Sequence, residues 1–135
     1  VFVGVIDLQT GEMDYSNSGM PNTIIKQAGK NFEEAANEVK NFVLGNMENV
    51  TFHQNHIDFM QGDMMMLYTS GVPKTKNQYG EEFTEPYVAI QLNGVIRQEH
   101  ELDKILEAMN KSLAEFRGDT SDISNGTMLI FRFFG

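Results

Sequence analysis

Cysteine and tryptophan are absent from the 135 residues, and proline occurs only three times. Without cysteine there is neither a disulfide framework nor a thiolate zinc site, which fits a reducing compartment and makes a cytoplasmic location the expectation. Positive charge is also scarce: ten Lys and Arg stand against nineteen Asp and Glu, for a net charge of -9. With no basic stripe to displace counterions from phosphates, a nucleic-acid partner is not expected, and an anionic membrane surface is disfavoured for the same reason. No apolar run approaches the roughly 18 residues that a membrane-spanning helix requires. The first residues lack the basic, apolar and small-residue sections of a signal peptide. A Walker loop, a Gly-x-Gly-x-x-Gly turn, a Gly-x-Ser-x-Gly elbow and a cysteine nucleophile are all missing, which removes several familiar enzyme classes.

What is present suffices for one hydrophobic core: 41% of the residues are hydrophobic, and the length suits a single domain over residues 1–135. Residues 1–6, Val-Phe-Val-Gly-Val-Ile, read as a buried strand at the very start of the chain, which suggests a segment of something longer, incomplete at its N-terminus. The turn at Thr10 and Gly11 leads into a hairpin partner over residues 12–16, then a loop over 17–22 and a short strand over 23–26. Phe32, Ala35, Ala36, Val39 and Val43 recur at helical spacing and predict a helix, one that is short or absent if Phe42-Val43-Leu44-Gly45 belongs to the element ahead of the next hairpin. Residues 50–59 alternate imperfectly and predict a strand with a bulge near Gln54.

Gly62-Asp63 reads as a turn into an apolar strand, Met64-Met65-Met66-Leu67-Tyr68, that leaves through Thr69-Ser70-Gly71-Val72. A polar loop follows Pro73, and Thr84 with Pro86 in the first turn predicts a helix that Asn93-Gly94 can end. The strongest periodicity lies over residues 99–117, where Leu102, Ile105, Leu106, Met109, Leu113 and Phe116 form one stripe, acidic residues load the first turn and Arg117-Gly118 marks the stop. Burying that stripe is worth on the order of 10 kcal/mol before ordering entropy is subtracted. A closing strand over residues 127–133 completes an α+β pattern with hairpin-connected, antiparallel strands.

These landmarks, in this order, resemble the metal-dependent type 2C (PPM-type) serine/threonine protein phosphatases, in their bacterial stage II sporulation protein E branch. The strand exit Tyr68-Thr69-Ser70-Gly71-Val72 is similar to that family's Tyr-Thr-Asp-Gly-Val, Asn17-Ser18-Gly19-Met20 to its Asn-Ala-Gly-His, and Ser124-Asn125-Gly126-Thr127 to its Asp-Asp-Ile-Thr or Asp-Asn-Met-Thr. The resemblance covers nearly the whole chain and corresponds to the C-terminal two thirds of the domain. It implies an antiparallel β-sandwich flanked by helices, four layers in the order α-β-β-α, and a partner-switching role in bacterial signalling with a phosphoprotein or regulatory protein partner. An N-terminal sensor or the missing part of the domain, and a homodimer, are further partners it leaves open.

It also implies a pair of Mg²⁺ or Mn²⁺ ions bridging the water that attacks phosphoserine or phosphothreonine, because hard dications are held by clustered carboxylates. Here Ser70 and Ser124 occupy the ligand positions, with Gly71 and Asn125 beside them, and Met20 stands where the family has His. An alternative register sets Ser121 and Asp122 at the second motif, leaving Asp122 as a residual ligand. The family's Gly-Asp-Val-x-Gly-His-Gly segment has no counterpart in the chain. The expectation is therefore a phosphatase-like domain with an impaired or emptied metal site, no cofactor as it stands and no confident catalytic residue; an active enzyme when complete and an unrelated α+β binding domain are the rivals. Outside these motifs, His53 and His56 with Asp58 could be read as a metal cluster, but a spacing of three puts the two His on opposite faces of a strand, and surface histidines are the plainer reading. Met64-Met65-Met66 reads as core filling rather than soft-metal binding, and Glu33-Glu34 and Glu81-Glu82 as acidic surface.

Overall fold

The computed structural model describes residues 1–45, 48–120 and 125–135. Eight strands form two sheets. Sheet A joins β1 (Phe2–Ile6), β2 (Glu12–Ser18), β5 (Lys40–Asn41) and β6 (Asn55–Asp58); sheet B runs β4 (Phe32–Glu34), β3 (Ile24–Lys26), β7 (Met64–Tyr68), β8 (Met128–Arg132). All pairings are antiparallel except the short one in which β5 lies parallel to the end of β2. The helices α1 (Glu85–Val95) and α2 (Leu102–Arg117) cover the face of sheet B that looks away from sheet A.

Strand β7 lies between β3 and β8 and is buried from both sides, and its alternation explains the layers. Met64, Met66 and Tyr68 pack with Val88 and Leu92 of α1 and Ile105 and Met109 of α2. Met65 and Leu67 point the other way, into a second core with Met13, Tyr15, Phe59 and Phe133. Both faces of a two-residue period are thus apolar, which is why three consecutive methionines suit this position. The turn ahead of β7 is held by the buried Asp63 carboxylate, which accepts the backbone N–H groups of Ala28 at 2.8 Å and Met60 at 2.9 Å. Gly62 takes a φ of 90° there, as the Gly-Asp pair anticipates.

The predicted two-sheet α+β architecture is present, with a helical layer over sheet B. The six-residue stripe of α2 packs on the core as expected, with Ile105 and Met109 fully buried and the other four packed against it. Several local expectations are corrected. Residues 1–6 do form a strand, yet only Phe2 and Ile6 turn toward the core, while Val3 and Val5 are 60% and 74% exposed; no described element covers the outer face of sheet A. No helix forms over residues 32–43. Phe32 is buried in β4, where Asn93 of α1 brackets its backbone, accepting its N–H at 2.6 Å and donating to its C=O at 3.0 Å. Ala36, Val39 and Val43 stay exposed, and Asn37 adopts a φ of 58° that no helix allows. Phe42-Val43-Leu44-Gly45 is neither helix nor strand: beyond β5 the chain is irregular and then turns at Leu44 and Gly45.

The strand expected over residues 50–59 shrinks to β6, because the Asn41 side chain takes up the His53 backbone, donating to its C=O at 2.9 Å and accepting its N–H at 2.6 Å. No bulge is needed. Helix α1 starts where foreseen, but Thr84 sits at a φ of 71° and makes no side-chain cap, and the helix runs one residue past Gly94.

Met65 is completely buried between the sheets whereas Met60 is 74% exposed. Met65→Ala should therefore cost about 2–5 kcal/mol in urea unfolding, with Met60→Ala within about 0.5 kcal/mol of the parent as its control.

Candidate functional site: the joined ends of two strands

The backbone beyond β7 and the backbone ahead of β8 are stitched together. The Thr69 N–H donates to the Thr127 C=O at 3.0 Å, and the Thr127 N–H donates to the Thr69 hydroxyl at 2.9 Å. Past this seam the chain folds into a tight turn, with the Val72 N–H on the Thr69 C=O at 3.0 Å and the Thr75 hydroxyl on the Gly71 C=O at 3.0 Å. A Cβ on Gly71 would overlap the Asn125 carbonyl oxygen, and one on Gly126 would meet Val72 Cγ2 at 2.7 Å. The two glycines therefore permit the approach of the two segments.

This contact brings Ser70, Gly71 and Asn125 to one place, as the motif reading requires, with Ser70 and Asn125 exposed. Ser121, Asp122 and Ser124 lie outside the described residues. Met20 belongs to the same neighbourhood: with Phe2, Leu67, Leu129 and Phe131 it lines an apolar cleft of about 380 Å³ whose polar members are Tyr68, Thr69 and Thr127. Met20 is placed by Asn17, whose Oδ1 accepts the Met20 N–H at 3.1 Å.

Asn17 in turn rests on a residue that sequence reasoning missed. The Glu38 carboxylate accepts the Asn17 amide at 2.6 Å, the Tyr15 hydroxyl at 3.1 Å and the Thr23 N–H at 3.2 Å, tying sheet A to the start of β3. Glu38 falls in the stretch whose spacing imitates a helix, where it reads as a solvated outward residue, so no sequence signal singled it out. Burial, followed by the Glu38 charge and its hydrogen bond, pushes the Tyr15 phenol well above its ordinary range. Burial does the same to Tyr68, reinforced by the charges of Glu85, Glu34 and Glu38. Both phenols are thereby held in the neutral form, and that of Tyr15 donates to Glu38.

The donor set at the seam does not suit two hard dications. Its described side-chain donors are the Thr69, Ser70 and Thr127 hydroxyls and the Asn125 amide, all neutral, where a two-metal site needs carboxylates to balance four positive charges. Among the described residues, the one group of metal-type side chains lies elsewhere, on the outer face of sheet A, where Glu12, His56 and Asp58 come together in the open. His56 and Asp58 are two apart on β6 and share a face, whereas His53 lies outside the strand, so the trio of His53, His56 and Asp58 does not assemble.

His56 spans the two strands instead. Its Nδ1 lies 2.7 Å from Asp14 on β2 and its Nε2 2.8 Å from Asp58 on β6. Hydrogen bonding to Asp14, then to Asp58, raises the imidazole above its ordinary pKa and lowers that of Asp14.

Two outcomes follow from this geometry. Gly71→Ala should destabilise the fold by about 1–3 kcal/mol, because the added methyl meets backbone that cannot swing aside; thermal unfolding reads it. In an NMR titration His56 should retain its proton above the ordinary histidine range, and Asp14→Asn should bring its midpoint back down. The stability this pair adds is present below the ordinary, unfolded-chain pKa of histidine and fades as pH rises through the raised folded-state pKa.

A match to the family model described as Stage II sporulation protein E (SpoIIE) spans residues 1–133. No curated protein matches the chain. Among solved structures, the SiaA-PP2C domain of Pseudomonas aeruginosa superposes with a TM-score of 0.79 at 20% identity, covering 98% of this chain and 50% of that one. The RsbU and RsbW domains of Rv1364c from Mycobacterium tuberculosis give 0.78 at 18% identity, covering 98% of this chain and 36% of that one. The phosphatase domain of the cell fate determinant SpoIIE from Bacillus subtilis gives 0.73 at 13% identity, covering 100% and 58%. The chain thus spans about half the length of these structures or less, and at such identities the likeness establishes the fold. Two stacked sheets, the Thr69–Thr127 seam and a family match over almost every residue lead to one assignment, which sets aside an unrelated α+β domain: the chain belongs to the SpoIIE family of PP2C-type phosphatase domains.

Proposed function

We propose that this chain is the C-terminal portion of a phosphatase-shaped regulatory domain that engages a protein partner and does not itself hydrolyse phosphoserine. The observation carrying this reading is the neutral donor pair at the seam, Ser70 and Asn125, in the place where a two-metal hydrolase concentrates carboxylates. If Ser124 is the second replaced ligand, the site has lost two negative charges. Met20 and its apolar cleft support the same reading, because an apolar wall favours neither a metal-bound hydroxide nor a phosphate dianion.

The partner would be a regulatory protein or phosphoprotein of a bacterial partner-switching circuit, met in the cytoplasm and answering to a sensor elsewhere in the protein. The open edge of β1, with uncharged residues from Val1 to Ile6, would accept a further strand, from the remainder of a phosphatase domain or from a second copy. A second reading, an active Mg²⁺- or Mn²⁺-dependent phosphoserine phosphatase when complete, rests on the chain spanning only about half of the SiaA domain. Further ligands would then have to come from outside these 135 residues.

Phosphate release from a phosphoserine protein in Mn²⁺ separates the two readings. The full-length protein should show no metal-dependent turnover, and should gain Mn²⁺ binding when Ser70→Asp and Ser124→Asp are combined. Saturable, Mn²⁺-dependent turnover by the unaltered protein would overturn the regulatory reading.

A further inference from the structure

The chain contains two Asn-Gly pairs, Asn93-Gly94 and Asn125-Gly126, and the fold treats them in opposite ways. Asn93 lies within α1, and both ends of its side-chain amide are committed to the Phe32 backbone, Oδ1 at 2.6 Å and Nδ2 at 3.0 Å. Asn125 lies outside helix and strand, is exposed, and among the described residues neither its side chain nor the Gly126 N–H takes part in a hydrogen bond. Position 126 must be glycine, since a Cβ there would press on Val72 Cγ2 at 2.7 Å and on the Val72 backbone nitrogen at 3.1 Å. The same missing Cβ leaves no side chain of residue 126 beside its own nitrogen, which lies close against Gly71.

We propose that Asn125 is a site of spontaneous covalent modification, at which the protein converts its own asparagine to aspartate or isoaspartate without any enzyme or metal. The Gly126 amide nitrogen gives its proton to solvent base and attacks Asn125 Cγ. A new N–Cγ bond forms, the Cγ–Nδ2 bond breaks, and ammonia leaves with a proton from water. Water then opens the resulting five-membered imide at either carbonyl. Opening at Cγ breaks the new N–Cγ bond and yields aspartate; opening at the backbone carbon breaks the original peptide bond and yields isoaspartate, with the main chain routed through Cβ and Cγ. In sum, one amide and one water become one carboxylate and ammonia, with no change of oxidation state.

The reaction places a negative charge beside Ser70, at a seam whose described side-chain donors are neutral. The isoaspartate product also inserts a methylene between Asn125 Cα and the Gly126 nitrogen and turns the carbonyl seated on Gly71 into a free carboxylate outside the main chain, so the seam closed by the Thr127 N–H on Thr69 must loosen. Glycine at 126 is imposed by packing, and asparagine ahead of it is what makes the pair reactive. This inference does not depend on whether the domain is catalytic.

Peptide mapping by mass spectrometry, after incubating the folded protein at mildly alkaline pH, tests it, with isoaspartyl methyltransferase labelling to identify the product. The peptide bearing Asn125 should gain the mass of amide-to-acid conversion and become a methyl acceptor. Asn93 must wait for local opening of α1, so it should react more slowly by on the order of tenfold or more. In Asn125→Gln both signals should vanish from that peptide while circular dichroism is unchanged. The proposal is overturned if Asn125 stays intact in the folded protein while a synthetic peptide of the same local sequence reacts, if Asn93 keeps pace, or if the signals persist in Asn125→Gln.

Discussion

The structure depends on β7 being buried on both faces. Met65 and Leu67 fill the space between the sheets, and Met64, Met66 and Tyr68 anchor the two helices, so one five-residue strand is shared by both hydrophobic cores. It carries β3 along one edge and β8 along the other, and β4 joins sheet B through β3. Such a strand cannot slip by one residue without exchanging its two faces. The buried Asp63 at its entry and the Thr69–Thr127 seam at its exit fix its ends.

Because the strand is fixed at both ends, the position of Ser70 is fixed as well. The backbone around Ser70 is closely defined by a tight turn, small residues and a close approach to the residues ahead of β8. What remains is the chemistry of the side chains presented. A serine hydroxyl and an asparagine amide hydrogen-bond well, but they carry no charge to hold a dication away from water. Glu38, by contrast, is an organising carboxylate: three donors from Tyr15, Asn17 and Thr23 converge on it, and through Asn17 it sets the loop that bears Met20. The scaffold retains a carboxylate where one organises the fold and presents neutral groups at the described part of the seam.

The legible parts of the sequence were those governed by local chemistry. Gly62-Asp63, the α2 stripe and the Tyr-Thr-x-Gly-Val exit each rest on a period or a turn that short stretches encode, and all three are found in place. The illegible parts were decided by distant side chains. Phe32 joined a strand because Asn93, 61 residues away, brackets its backbone, and residues 50–54 lost their strand partner to the Asn41 side chain. Helical spacing in residues 32–43 was coincidental, since of its five apolar positions only Phe32 is buried. The burial foreseen for residues 1–6 failed for a simpler reason, as nothing described packs on the outside of sheet A. At the candidate site, Ser70, Gly71, Asn125 and Met20 were all brought together, whereas Glu38 had no motif and could be found only through its partners.

At stake is the proposal that the strand-end seam around Ser70 and Asn125 holds no metal pair. Anomalous diffraction from crystals of the full-length protein soaked in Mn²⁺ addresses this most directly, because it locates the ions instead of inferring them from activity. The account predicts no anomalous peak between Ser70 and Asn125, with the Thr69–Thr127 seam unchanged. A pair of ordered Mn²⁺ ions at that seam would contradict it.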